Sequence, residues 1–166
     1  MKKLFAAAVI VLALTGCASV PMGDAEQDAA LKTFAIAPEK AGIYIYRNES
    51  FGSANRLAVE IDKHVIGETA AKTYLYKEVT PGKHTIVSHA ENTDTLEVDV
   101  KPGTLVYVWQ EIKLGFLFAR SKLHLMSEEE GKKGVLFWEI IRATEVIRPK
   151  YLVLENVDRL LKAPSN

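Results

Sequence analysis

Thr80-Pro81-Gly82-Lys83 and Lys101-Pro102-Gly103-Thr104 punctuate the chain in nearly the same way, and the residues between and after them decide the fold. Proline presets φ at about −65° and glycine accepts positive φ, so each Pro-Gly pair predicts the centre of a type II turn joining two strands. Between the turns, His84 to Ala90 reads as one strand. Leu96, Val98 and Val100, alternating with Thr95, Glu97 and Asp99, read as another with a dry and a wet face. Beyond the second turn, Leu105 to Ile112 is apolar on both faces apart from Gln110 and Glu111, the pattern of a central strand.

The same reading extends outward. Ordered structure is predicted to begin at Gly42, because Ile43, Tyr44, Ile45 and Tyr46 have the β-branched and aromatic composition that suits a pleated surface. Leu57, Val59 and Ile61 alternate with polar residues, Asp62-Lys63-His64 make a turn, and Val65 with Ile66 begin the return. Tyr74 and Tyr76 share one face of a further strand, with Thr73 and Leu75 on the other. Leu123 and Leu125 continue as a last strand after Phe116 to Phe118. Short strands about ten residues apart, bent at Pro and Gly, predict a mainly β protein: an antiparallel β-sandwich of immunoglobulin or transthyretin type.

What precedes the sandwich sets its location. Lys2 and Lys3 lead into an apolar run from Leu4 to Leu14, the layout of a secretory signal. The run is too short for a hydrocarbon core that needs about 20 residues. Leu14-Thr15-Gly16-Cys17 resembles a bacterial lipobox, which implies cleavage before Cys17 and acylation of its thiol, by palmitate among other chains. Stable anchoring takes more than one acyl chain, and the resemblance implies several. Ala18 stands where an inner-membrane retention aspartate would stand, so the expected site is the outer membrane, facing the periplasm. Residues 17–39 read as a flexible tether that admits a short helix from about Ala25 to Lys32. Without the signal 150 residues remain, one domain plus tails, carrying 19 basic against 21 acidic side chains. That balance predicts no nucleic-acid partner. Cys17 is the chain's single cysteine, so neither a disulfide framework nor a cysteine-based metal site is expected.

The lipobox, the Gly42-Ile43-Tyr44-Ile45-Tyr46-Arg47 strand, the Val79-Thr80-Pro81-Gly82-Lys83-His84 turn and the Lys122-Leu123-His124-Leu125-Met126-Ser127 ending together resemble a bacterial lipoprotein family, domain of unknown function 2846, over about residues 17–136. That resemblance implies a fold and no activity. After Ser127 and Glu128-Glu129-Glu130, a helix start with acids in its first turn, the character changes. Phe137, Trp138, Ile140, Ile141, Val146 and Ile147 predict an amphipathic helix ended by Pro149, and Tyr151 to Leu154 a short buried strand. The expected division is therefore signal 1–16, tether 17–39, sandwich 40–133 and a short α/β tail 134–166.

The tail resembles a fragment of a DNA cytosine-5 methyltransferase, through Gly134 to Trp138, Arg148 to Tyr151, and Leu154 through Leu161. The resemblance places Glu155, Asn156 and Val157 in that family's Glu-Asn-Val motif, whose glutamate contacts the target cytosine. Attack on cytosine C6 needs a cysteine thiolate, and the Pro-Cys loop that supplies it is absent, so the motif is expected to be inactive. The tail reads as a fusion or artefact joined within Gly131 to Leu136, a segment that suits both parents.

Few side chains suggest chemistry. His64, His84, His89 and His124 have no recurring ligand spacing, so no metal and no cofactor are expected. Glu91, Asp94, Glu97 and Asp99 read as a solvated face that discourages edge pairing rather than a calcium loop. Tyr44, Tyr46, Tyr74 and Tyr76 are the candidate binding surface for an envelope protein or glycan, weighed against the commoner reading as cross-strand core pairs. The function expected is that of a non-catalytic binding or scaffold module held to the membrane by Cys17. A spacer without a ligand is the alternative, and an enzyme ranks below both.

Overall fold

The computed structural model describes residues 19–50 and 52–148. Cys17, the strand expected at Tyr151 to Leu154, and Glu155, Asn156 and Val157 lie outside the described residues. Among the described residues, eight strands and two helices follow in order: α1 (Ala25–Leu31), β1 (Ala41–Arg47), β2 (Leu57–Ile61), β3 (His64–Thr69), β4 (Thr73–Val79), β5 (Gly82–His89), β6 (Thr93–Val100), β7 (Thr104–Leu114), β8 (Ala119–Met126) and α2 (Glu128–Ile147).

The strands form two packed four-stranded sheets, ordered β4-β1-β7-β8 and β3-β2-β5-β6. Pairing is antiparallel except between β1 and β7, which run parallel with Tyr44 opposite Tyr107. Alternation built the core as expected. Ile43 and Ile45, Val59 and Ile61, Ile86, Val98 and Val100, Val108 and Leu123 point between the sheets and are buried together, each contributing roughly 1.5–3 kcal/mol relative to exposure. β1 is buried along its whole length, since it lies inside its sheet with the second sheet on one face and helices on the other.

A line of polar side chains crosses this core. Thr69 Oγ1 donates to Gln110 Oε1 at 2.5 Å, Gln110 Nε2 donates to Ser88 Oγ at 2.6 Å, and Ser88 Oγ lies 2.8 Å from Ser121 Oγ. This accounts for Gln110 in an otherwise apolar strand: a buried amide is tolerated when its hydrogen bonds are made, and here they join strands of both sheets. Arg47, 1% exposed, ends β1 by donating to the carbonyls of Gly52, Asn55 and Thr69 at 3.2, 2.9 and 3.3 Å. At the outer edge of β8, Asn92 Oδ1 accepts from the Ser121 amide at 2.9 Å and Asp94 Oδ2 from the Leu123 amide at 2.7 Å.

Two turns conform to expectation and one does not. Asp62 and Lys63 both take left-handed φ, 51° and 68°, as a two-residue hairpin requires. Gly103 has φ 69°, and the Thr104 amide donates to the Lys101 carbonyl at 3.2 Å. Gly82, however, has φ 137° and belongs to β5, opposite Val100. The strand pairing draws it out of the type II geometry, and the Thr80 carbonyl instead contacts His84 Nε2 at 2.7 Å.

Both ends of the domain depart from the expected division. Residues read as tether include α1, capped by Asp24, whose carboxylate accepts from the Glu26 amide at 2.6 Å. Together with Phe34, α1 lies against the outer face of the β1 sheet, because Tyr44, Tyr74 and Tyr107 offer that face aromatic surface and hydroxyls. At the other end, α2 runs through the boundary placed between residues 133 and 134. Ser127 caps its start: the Glu130 amide donates to Ser127 Oγ at 3.3 Å, and Ser127 Oγ donates to Glu130 Oε2 at 2.9 Å. Gly131, Gly134, Val135 and Trp138 share one helical face and lie on the sheet. The approach is so close that a Cβ at residue 131 would sit 2.2 Å from Tyr107 Cβ, and one at residue 134 would sit 2.2 Å from the Tyr46 ring.

Candidate binding site

The four tyrosines do share a face, but they do not form an open platform. Tyr44 and Tyr46 are 1% and 3% exposed. Tyr44 stacks on Tyr107 with centroids 5.4 Å apart, receives the edge of Phe34 at 5.5 Å, and donates to the Leu31 carbonyl at 2.7 Å. Burial pushes the Tyr44 hydroxyl up to about 12 and raises those of Tyr46 and Tyr107 as well. The cause is geometric: both tyrosines project from the middle of the sheet, where α1, Phe34 and α2 lie. Tyr74 and Tyr76 stand on β4, the edge strand, and remain half-buried.

Beside β4 a cleft of about 690 Å³ opens between residues 20–32, the end of β3 with the Lys72 turn, and residues 135–142 of α2. Its charged groups are connected. Tyr74 Oη donates to Asp28 Oδ1 at 2.6 Å, and Lys32 Nζ bridges Asp28 Oδ2 at 2.5 Å and Glu139 Oε1 at 2.8 Å. Arg142 pairs with Glu139 through its guanidinium. Lys72 Nζ lies 3.8 Å from the centroid of Trp138, whose Nε1 donates to the Asn48 carbonyl at 2.9 Å. Burial opposes the charges of Asp28 and Lys32, but their mutual bond and the bonds to Tyr74 and Glu139 outweigh it. The Asp28 carboxyl is held low and the Lys32 ammonium high. Burial, then the Asp28 carboxylate, raises Tyr74. Its hydroxyl therefore stays protonated near neutral pH, donating to Asp28. Aromatic surface flanked by fixed donors and acceptors suits a polar ligand with apolar faces.

The histidines are dispersed. His84 Nδ1 lies 2.6 Å from Asp62 Oδ2, His124 Nε2 lies 2.7 Å from Glu111 Oε2 with its ring against Trp109, and His89 Nε2 lies 3.0 Å from Glu60 Oε1. His64 Nδ1 contacts the Asp62 carbonyl at 2.8 Å. Among the described residues no group of three His, Cys, Asp or Glu side chains is placed to hold a metal ion. The acidic stretch divides by role. Glu97 and Asp99 face solvent, Asp94 caps the β8 edge, and the Glu91 carboxylate accepts from the amides of Phe116, Leu117 and Phe118 at 3.1, 2.9 and 2.7 Å. No helix of the described residues is long and apolar enough to cross a membrane.

Sequence reasoning did not find Asp28, Lys32, Lys72, Trp138 and Glu139 as a group, since they come from three separate segments. The signal available was Asp28 and Lys32 at helical i,i+4 spacing.

Comparison with known proteins finds three family models along the chain. The family model described as "Protein of unknown function (DUF2846)" matches residues 37–121, and that of a prokaryotic membrane lipoprotein lipid attachment site matches residues 1–18. The model of C-5 cytosine-specific DNA methylases matches residues 121–166. An uncharacterized protein of Haemophilus influenzae is 37% identical over 142 residues, covering 81% of this chain and 83% of its own. The type II methyltransferase M.Sau3AI of Staphylococcus aureus is 70% identical over 37 residues, which are 22% of this chain and only 9% of that enzyme. No solved structure matches.

Proposed function

This chain belongs to the DUF2846 family and is a lipoprotein held to a membrane through its lipid attachment site, and from that premise we propose that its sandwich is a non-catalytic binding module of the bacterial envelope. The carrying observation is the cleft beside β4, where half-buried Tyr74 meets the Asp28, Lys32 and Glu139 network. A peptide or glycan of the envelope is the ligand class that such a mixture of ring faces and fixed charges recognises. The outer membrane, facing the periplasm, is the location we assign, on the absence of an aspartate at Ala18. The test is crosslinking in intact cells from a photoreactive residue placed at Tyr74, compared with the same residue at exposed Val65. A discrete adduct from position 74, lost in Lys32→Ala, supports the module. Identical patterns from the two positions favour the spacer reading.

We read the sandwich as transthyretin-like in its finer class. An immunoglobulin constant domain joins its first, second, fifth and fourth strands in one sheet, whereas here the first strand lies between the fourth and the seventh. We also propose that the tail is foreign to the family and enzymatically silent. Cytosine methylation needs a thiolate, and the chain's single cysteine, Cys17, is the lipid attachment residue. The join falls within α2, whose Gly131, Gly134, Val135 and Trp138 suit the sheet, while Val146 and Ile147 stand 80% and 71% exposed. A long sequencing read of the locus that continues with uninterrupted lipoprotein sequence beyond this helix would support the join; one that reproduces the tail in independent isolates refutes it.

A further inference from the structure

The connection between β7 and β8 carries the most exposed apolar surface of the described chain. Leu114, Phe116, Leu117 and Phe118 are 84%, 92%, 75% and 71% exposed. Four large apolar side chains within five residues exceed the scattered exposure normal for a surface and mark an interaction site. The loop is also built. The Glu91 carboxylate, reaching from the β5–β6 turn, accepts three consecutive amides from Phe116 to Phe118, and Gly115 lets the chain pass where a Cβ would lie 2.0 Å from the Phe118 carbonyl. Three of the loop's N–H groups are thereby bonded within the protein, which lowers the cost of bringing the loop to the apolar boundary of a bilayer.

Its position says which partner is at hand. β1 ends at Arg47, opposite Thr73 of β4, and runs parallel to β7 with Tyr46 level with Trp109. β7 continues from there to Leu114, so its loop lies at the same end of the sandwich as the Lys72–Thr73 turn. Val20, Pro21 and Met22 line the cleft together with Lys72 and Thr73, so the chain that leads back to Cys17 leaves from this end too. Cys17 lies three residues before Val20, at most about 11 Å of extended chain. Lys113 and Arg120 flank the loop and are exposed, matching the negative charge of phospholipid headgroups.

We propose that Leu114 to Phe118 is a membrane-dipping loop that inserts its phenylalanine and leucine side chains into the bilayer holding Cys17, fixing the orientation of the sandwich on that surface. The lipid chains hold the protein near the membrane; the loop sets which end faces it and leaves the β2–β3 hairpin at the distal end. Glu91 is a positioning residue, acting through the loop backbone.

The test uses the full lipidated chain reconstituted in vesicles of phosphatidylethanolamine and phosphatidylglycerol. Acylation occupies the single native thiol, so Leu117→Cys is uniquely labelled with an environment-sensitive fluorophore, as is Val65→Cys at the distal hairpin. The expected result is a blue-shifted emission at position 117, quenched several-fold more by brominated acyl chains than at position 65. Equal, water-like emission at both positions overturns the proposal, and so does shielding of position 117 in intact cells but not in vesicles holding this chain alone, which assigns the loop to a protein partner. Phe116→Ser with Phe118→Ser, both exposed, is expected to keep the melting temperature while removing the difference in quenching. Glu91→Gln is expected to reduce the quenching and speed hydrogen exchange at the Phe116 to Phe118 amides; unchanged exchange removes Glu91 from the positioning role.

Discussion

Replacing Gly131 by alanine separates two views of α2 by the sign of its effect. In a helix that merely projects into solvent, glycine to alanine stabilises by roughly 0.8–1 kcal/mol, because alanine loses less backbone freedom on folding. Here the new Cβ would lie 2.2 Å from Tyr107 Cβ and Cγ, against an ordinary carbon contact of about 3.5–4.0 Å. Tyr107 Cβ is one bond from the backbone of β7, which is paired on both sides, so it does not swing aside. The helix must lift by about 1.3 Å or more, loosening Val135 and the Trp138 bond to Asn48. Overpacking of this kind costs about 1–3 kcal/mol, which leaves a net loss of about 0–2 kcal/mol after the propensity gain. For a chain this long that is a fall in Tm of up to about 8 °C. Gly134→Ala meets the far end of the Tyr46 ring, which yields more readily, so its loss is expected to be smaller. Thermal and urea unfolding followed by circular dichroism, with Trp138 fluorescence as a local report, read both values. A rise in Tm of a few degrees for Gly131→Ala would show that the helix does not rest on the sheet and refute the packing derived above.

Arg47→Lys is expected to destabilise the domain by about 2 kcal/mol in urea unfolding, because one ammonium does not reach three carbonyls that a guanidinium fork satisfies, and buried carbonyls left bare are costly. His84 links stability to pH. Its burial opposes the imidazolium, but Asp62 and the Thr80 carbonyl outweigh that and hold its pKa above the ordinary 6.5. The contribution is therefore complete below about pH 6.5 and lost as pH rises through the raised folded value. A Tm series from pH 5 to 9 is expected to decline across that range, and His84→Gln to flatten it; an unchanged slope in the variant excludes His84 as the source. A stop codon after Arg142 removes the exposed end of α2 and is expected to shift Tm by no more than about 2 °C. A loss of cooperative unfolding would instead make residues 143–166 part of the folded unit.

The strands were legible because their information is local. Leu57, Val59 and Ile61, or Leu96, Val98 and Val100, show period two without reference to anything else in the chain, and Asp62-Lys63 announces its hairpin. The parallel pairing of β1 with β7 is not local: it joins residues about 60 positions apart through registers that no single segment displays. Helix packing was hidden for a different reason. Gly131 and Gly134 read as a seam between unrelated segments, since a glycine that makes room for a tyrosine ring looks the same in sequence as one that breaks a helix. The tyrosines were grouped in the sequence, where the reading as core pairs was the commoner one; what covers Tyr44 and Tyr46, namely α1, Phe34 and α2, was not visible there. The cleft needed all three segments in place before Asp28, Lys32 and Glu139 became neighbours. Glu91 and Asp94 looked like solvated acids, and only the fold reveals which amides they hold.

The capped rim of β8 matters most for a protein confined to a surface. Molecules tethered to a bilayer diffuse in two dimensions with their sandwiches at similar heights, so rims of neighbouring copies meet far more often than they would in solution. A bare strand there would recruit the next copy, then the next, into a growing ribbon. Asn92 and Asp94 occupy the amides of Ser121 and Leu123 that such a ribbon would need. Two short polar side chains thus close these positions of the β8 rim to the strand of a neighbouring copy on the same membrane.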